Sequence, residues 1–322
     1  MKAIITGGAG FIGSNLTSFL LKKGWKVLVI DNFSVGSLEN LPKDKNLRVE
    51  KANICNRKKI FNLIRNSDYV FHLAVQCVRK SINDPFLVHR VNAEGTLNVL
   101  EASRKNKVKR FVYVSSSEVY GTGEKIPMDE GCPLKPMTVY GASKLAGENY
   151  TLAYWRTYGY PSVVVRPFNT YGYNSHFNGM YGEVIPRFLV RALNNKTLQI
   201  FGSGKQTRDF TFVDDTVRGI YLAAKKGKNG KIYNIARGEE VSVNDIAKAV
   251  LGGVDTASKT DHLEERPGDV LRHFADIKKA ERELGFKPRV DMDNGIKMYI
   301  KWFTNKYSDP KSLLKKYEEK NW

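Results

Sequence analysis

Ala3-Ile4-Ile5-Thr6-Gly7-Gly8-Ala9-Gly10-Phe11-Ile12-Gly13 decides the fold. A short apolar run meets a G-x-x-G-x-x-G turn, and a helical pattern over 13–23 follows. Glycines at these three places allow a tight turn and bring backbone close to whatever lies above it, and the helix N-terminus supplies unpaired N–H donors. Working outward, apolar, β-rich runs recur at 26–31, 69–73, 110–115 and 162–166, with helical stretches at 56–65, 85–105 and 138–158 between them. Gly159 and Pro161 stop the last helix. Short apolar strands alternating with helices predict an α/β fold, a doubly wound parallel sheet covered on both faces.

The second half is less regular. Helices are expected at 184–194, 214–225, 243–251 and 276–284, strands at 198–201 and 232–235, and loops at 202–207 and 265–269. This predicts a Rossmann-type domain over 1–168, joined by parts of 208–236. A smaller mixed region, mainly 169–322, is expected over the carboxyl edge of the sheet, where such folds bind ligands.

The glycine turn gains meaning from Asp31, eighteen residues beyond Gly13 at the end of the second strand. A carboxylate there accepts from both ribose hydroxyls of a dinucleotide and repels a 2′-phosphate. Asn32-Phe33-Ser34 adds no Arg or Lys to receive that phosphate. NAD is therefore expected rather than NADP. Asn53-Ile54 is placed at the adenine, and Leu73-Ala74-Val75 beneath the cofactor. His72, in an apolar run without an acid partner, reads as structural.

The 322 residues carry a formal charge of +19, with 42% hydrophobic and 26% charged side chains. A nucleic-acid binder would concentrate such charge in a stripe with interleaved aromatics. Here Lys and Arg are spread along the chain in small clusters such as Lys22-Lys23 and Lys225-Lys226. They read as solvated surface with some steering of an anionic substrate, and no nucleic-acid partner is expected. No apolar run approaches the ~20 residues that span a bilayer, so no membrane partner is expected. Cys55, Cys77 and Cys132 are too scattered for a metal pair or a disulfide framework. No metal is expected, and a cytoplasmic setting is.

Tyr140-Gly141-Ala142-Ser143-Lys144 opens the helix at 138–158 and puts phenol and ammonium on one face. A nearby ammonium, with a positive nicotinamide, favours tyrosinate and makes Tyr140 a general base. Alone, this spacing usually marks surface or core residues. Ser115-Ser116-Ser117-Glu118-Val119-Tyr120-Gly121 sharpens it, because it follows the fifth strand and faces the same cleft.

Glycine turn, Asp31, Ser-Ser-Ser-Glu-Val-Tyr-Gly, Tyr-x-x-x-Lys and Arg166-Pro167-Phe168-Asn169-Thr170-Tyr171-Gly172 occur in that order. As a set, covering the chain to about Leu284, they resemble the extended short-chain dehydrogenase/reductase family of NAD-dependent nucleotide-sugar epimerases, dehydratases and decarboxylases. The resemblance implies a nucleotide-activated sugar as substrate. It implies that Tyr140 takes the C4 hydroxyl proton, that Lys144 lowers the Tyr140 pKa and holds the ribose, and that Ser116 bonds the C4 oxygen. Gly7, Gly10, Phe11, Ile12, Gly13, Asn32 and Asn92 join the cofactor set, as do Tyr140 and Lys144. Asn169, Arg208, Arg266 and Phe201 are expected at the nucleotide sugar. Relatives pair through two helices, so 85–105 and 138–158 are expected to form a homodimer. The stretch 173–182 departs from the family, where a proline usually follows Tyr-Gly.

Glu118 decides the expected reaction. Oxidation at C4 makes the C5 proton acidic, and a dehydratase needs a base for it. Glu118 matches the carboxylate of dehydratases and decarboxylases, where simple epimerases carry a small or uncharged residue. Ser117 stands where dTDP-glucose dehydratases place an acidic proton donor. Arg266-Pro267-Gly268-Asp269, common among 4-epimerases, pulls the other way. The expected order is dehydratase, 4-epimerase, UDP-glucuronate decarboxylase. A non-catalytic NAD-binding scaffold is disfavoured by the intact Tyr140, Lys144, Ser116 and Glu118.

Overall fold

The computed structural model describes residues 1–265 and 270–315. The first half runs β1 (Lys2–Thr6), α1 (Phe11–Lys22), β2 (Lys26–Asp31), β3 (Leu47–Lys51), α2 (Arg57–Leu63), β4 (Tyr69–His72), α3 (Val78–Asn83), α4 (Pro85–His89), α5 (Gly95–Lys105), β5 (Arg110–Val114), α6 (Val139–Tyr158) and β6 (Ser162–Pro167). Beyond it lie β7 (Asn169–Tyr171), α7 (Val184–Ala192), β8 (Leu198–Phe201), β9 (Thr207–Arg208), β10 (Phe210–Phe212), α8 (Val213–Lys226), β11 (Lys231–Ile235), β12 (Val241–Ser242) and α9 (Val243–Gly252). The remaining elements are β13 (Thr260–Leu263), β14 (Arg272–His273), α10 (Lys278–Leu284), α11 (Met292–Lys306) and α12 (Pro310–Leu314).

Seven strands form one parallel sheet in the order β11-β6-β5-β4-β1-β2-β3. All six residues of β6 are buried, as are four of the five in β1. Strands this apolar need cover on both faces, and helices supply it. The chain begins at β1, winds out through β2 and β3, then crosses to the other side with β4, so the order reverses between β1 and β4. Ligands of doubly wound sheets sit at the carboxyl ends of the strands flanking such a reversal. In the second half, α8 and β11 return to the main sheet, while the short pairs β8–β13 and β7–β10 and the three-stranded β12–β9–β14 form separate sheets.

Two helices fix the site. α6 starts at Thr138, whose hydroxyl accepts from the Gly141 N–H at 3.1 Å, and ends at Gly159 in the left-handed conformation, φ 60°. The expected helix over 85–105 is instead α4 and α5 joined by a π turn at Arg90–Glu94. The inserted residue turns Asn92 inward, a use typical of π bulges. α11 lies beyond the helices expected from sequence. Its Tyr299, Trp302 and Phe303 build an aromatic layer against Tyr173, Phe177 and Tyr307. Among the described residues, no helix is long and apolar enough to cross a membrane, and no cluster of His, Cys, Asp and Glu could hold a metal.

Candidate active site

A continuous cavity of about 530 Å³ opens at the reversal between β1 and β4. At one end it is walled by Gly7, Gly10, Phe11, Ile12 and Gly13. Gly7 has φ +71°, and a Cβ there would lie 2.7 Å from the Ala74 backbone; one on Gly13 would lie 2.1 Å from the Gly7 carbonyl oxygen. Only glycine lets the turn fold this tightly against the end of β4. Gly10 caps α1 without a side-chain hydrogen bond, so the first-turn N–H groups face the cavity unclaimed by any cap. Asp31 is buried beside them. Its Oδ2 accepts from Ala9 N at 3.0 Å and its Oδ1 from Phe33 N at 2.9 Å. Each oxygen keeps a further lone pair for a ribose hydroxyl. Asn32, Asn53, Ile54, Leu73, Ala74 and Val75 complete this end. The buried Ser115 hydroxyl, also on the wall, has no hydrogen-bond partner among the described residues and offers a donor and an acceptor to a ligand. Bare helix N-terminus, oriented carboxylate and orphaned hydroxyl fit NAD.

Asn92 is not on the wall. It sits one layer behind, accepting from Gln76 N at 2.8 Å and donating to Gln76 O at 3.1 Å and to Ser143 Oγ at 3.0 Å. It thus ties the strand end under the cofactor end to α6. His72 is structural as expected: its ring nitrogens bond Thr6 and Thr96 hydroxyls at 2.6 and 2.8 Å. Burial, then the Lys144 charge, push it down to about 3.

Tyr140, Lys144, Ser116 and Glu118 meet on the cavity wall. The Tyr140 hydroxyl lies near the Ser116 side chain, which favours its ionised form. Ser116 Oγ accepts from Glu118 N at 3.2 Å, which fixes the turn Ser117–Val119. Lys144 is buried, donates to the Val114 carbonyl at 2.6 Å, and lies 4.6 Å above the Tyr113 ring centre. Burial pushes its ammonium down to about 7, and Glu148 works against that fall. Burial also pushes the Tyr140 phenol well above its ordinary value. Ser116 opposes the rise, and Glu118 and Cys77 add to it. In the protein alone the balance at Tyr140 is thus opposite to the lowering expected from sequence: desolvation disfavours phenolate more than its neighbours favour it.

Ser117 is not brought to the cavity. The short 3-10 turn rotates it into the core. Asn169, Phe201 and Arg208 do line the cavity. Arg208 donates to the Thr207 and Val270 carbonyls at 2.8 and 2.5 Å. The neighbouring Asp209 is structural, accepting from Arg237 N and Gly238 N at 2.8 and 2.9 Å. Arg266 lies outside the described residues.

The sequence reading missed Gln76, Arg79, His176, Tyr181, Glu183 and Arg187, all on the wall. His176 Nδ1 is 3.9 Å from Glu183 Oε1, and its ring centre is 6.1 Å from that of Tyr181. Arg187 carried a signal: it is the one charge in the apolar run Val184–Val190, and it is buried.

The profile of the NAD dependent epimerase/dehydratase family matches residues 3–236. A putative UDP-glucose 4-epimerase of Methanocaldococcus jannaschii is 36% identical over 94% of this chain and 98% of its own. The UDP-glucose 4-epimerase structure of Thermotoga maritima, with UDP-glucose, superposes with TM-score 0.91 at 33% identity, covering 95% of this chain and 99% of that one. The dTDP-glucose 4,6-dehydratase structure of Streptomyces venezuelae, with NAD bound, superposes with TM-score 0.89 at 31% identity, covering 96% and 98%. Epimerases and dehydratases are thus matched about equally well. Glycine turn, Asp31, Tyr140 and Lys144 stand together in one cavity, and the chain belongs to the NAD-dependent epimerase/dehydratase family of the extended short-chain dehydrogenase/reductases.

Proposed function

We propose that the chain is a nucleotide-sugar dehydratase, which oxidises C4 of the sugar, eliminates water across C5 and C6, and then reduces the product. The observation that carries this is Glu118: it lies on the cavity wall, close enough to Tyr140 for its charge to raise the phenol. An outward-facing surface acid would do neither. The chemistry NAD supplies is reversible hydride acceptance. Tyr140 takes the proton of the C4 hydroxyl, whose oxygen Ser116 holds. The C4 ketone acidifies C5–H, and Glu118 takes that proton. The C5–H electron pair becomes the C5=C6 bond as C6–O breaks. Ser117, turned into the core, has no access to the departing oxygen. Glu118, protonated by the preceding step, returns its proton to O6, and water leaves. One carboxyl serves both transfers because C5–H and O6 are on adjacent carbons. Reduction of the C5=C6 bond takes the hydride at C6 and a proton at C5, which Glu118 draws from solvent, while Tyr140 releases the C4 hydroxyl proton to solvent. Nucleotide phosphates fall to Arg208, whose planar fork suits them.

Incubation with a panel of UDP-, dTDP-, GDP- and CDP-sugars tests the reading by product mass. At least one product lighter by one water is expected. Unchanged mass with inverted C4 in every active case would install the second reading, 4-epimerisation. The UDP-glucose 4-epimerase relatives favour that reading, and Tyr140, Ser116 and Lys144 suffice for it.

The working form is proposed to be a homodimer built on α4, α5 and α6. Phe86 on α4 is 81% exposed, and Leu97 on α5 and Tyr158 on α6 are also exposed. Large apolar groups left exposed on helices that pack together mark an interaction surface. Light scattering should return twice the 36.5 kDa chain mass, and Phe86→Asp should shift the protein towards monomer. A monomer at micromolar concentration overturns this.

A further inference from the structure

We propose that Glu148, clamped by Arg166, is a positioning residue that keeps the Lys144 ammonium charged and ties it to the Ser116–Tyr120 segment. Glu148 lies four residues after Lys144 on α6, so the two share a helix face. Both are buried. The Glu148 carboxylate accepts two hydrogen bonds from the Arg166 guanidinium, from Nε at 2.9 Å and from Nη2 at 2.6 Å, and neither side chain is more than 1% exposed. Arg166 belongs to β6, and its guanidinium lies 4.7 Å from the centre of the Tyr120 ring. Tyr120 closes the segment that carries Ser116 and Glu118, and its hydroxyl donates to Asn234 Oδ1 on β11 at 2.8 Å. From β5, the Tyr113 hydroxyl donates to the Lys144 carbonyl at 3.1 Å. One buried pair therefore connects α6, the loop after β5, β6 and β11.

A buried ion pair is a weak source of stability, and an apolar pair of similar volume often does as well or better. Retained charge at this place needs a task, and the nearest one is Lys144. The groups acting on its ammonium are His72 from β4, Tyr113 from β5 and Glu148 from α6, with Tyr140 four residues before it on the same helix. His72 and the two phenols carry no negative charge near neutral pH. Among the described residues Glu148 is the acid that opposes the effect of burial on Lys144.

The sign of the test follows. An opposite charge favours the ionised form, so Glu148→Gln lowers the Lys144 pKa and the ammonium is lost at lower pH. The alkaline limb of the kcat profile should move down by about one pH unit. The pH at which NAD affinity weakens should move with it, a readout independent of turnover. Glu148→Asp retains the charge and should hold both limbs near their original positions, whatever it does to thermal stability. Should Glu148→Gln fail to fold, the double exchange Glu148→Leu with Arg166→Met should still move both limbs down, by less, because loss of the Arg166 cation offsets part of the loss of the Glu148 charge that acts on Lys144. A folded Glu148→Gln or double variant with unmoved limbs overturns the proposal and leaves the pair a packing element. The role is the same whether the product is dehydrated or epimerised, so failure of the dehydratase reading leaves this outcome distinguishable.

Discussion

Tyr140→Phe is expected to suppress the burst of reduced-nicotinamide absorbance that the unaltered protein gives on mixing with its nucleotide sugar. The substitution removes one oxygen. That oxygen lies near Ser116 in a cavity whose burial pushes the phenol up. A group held so high is a poor base until positive charge is brought beside it, and Lys144 stands one turn along α6 to contribute. Without the hydroxyl its neighbours do not replace it: Ser116 is not basic, Lys144 is committed to the Val114 carbonyl, and Glu118 is assigned to C5. Loss of a positioned base costs about 10²–10⁴-fold, and stopped-flow absorbance measures that loss directly. Most of the cofactor end is built from α1, β1, β2 and β4, so NAD affinity should fall far less than the burst rate. A burst of undiminished rate would remove Tyr140 from its role in any reaction of this family.

The cofactor end and the Tyr140–Lys144 pair were legible in the sequence because each is local. A glycine turn, a strand end eighteen residues on, and an i, i+4 pair on one helix carry their geometry within a few turns of chain. The sugar end is not local. His176, Tyr181 and Glu183 reach the cavity from a stretch anchored by distant residues. Ser175 bonds Tyr299 at 2.9 Å, Asn174 bonds Lys306 at 2.8 Å, and Phe177 packs on Phe303. No spacing rule links residues 175 and 299. The expected helix over 85–105 kept its span but lost its regularity, because periodicity cannot register the extra residue of a π turn. Ser117 went astray for a related reason: neighbours in sequence were expected to share the cleft, yet a 3-10 turn sends successive side chains in different directions, Ser116 and Glu118 to the cavity and Ser117 to the core.

Glu118→Gln separates the two reactions that share this cavity. The substitution keeps shape and hydrogen bonding but removes the carboxylate. If Glu118 is the C5 base, C4 is still oxidised, because Tyr140, Ser116 and Lys144 are untouched. The burst of reduced nicotinamide should then appear and persist, while release of dehydrated product falls by about 10²–10⁴-fold. The burst could even quicken, since the Glu118 charge helps hold the Tyr140 phenol up and its loss makes phenolate easier to form. Solvent deuterium gives an independent reading. Removal of the C5 proton in D₂O should leave deuterium in the product of the unaltered protein, and the glutamine variant should incorporate far less. Epimerisation at C4 never breaks the C5–H bond, so its product leaves unlabelled, and it has no use for a carboxylate at position 118. A product of unchanged mass, inverted at C4, free of deuterium and formed equally fast by Glu118→Gln would therefore reject the dehydratase and assign the cavity to a 4-epimerase.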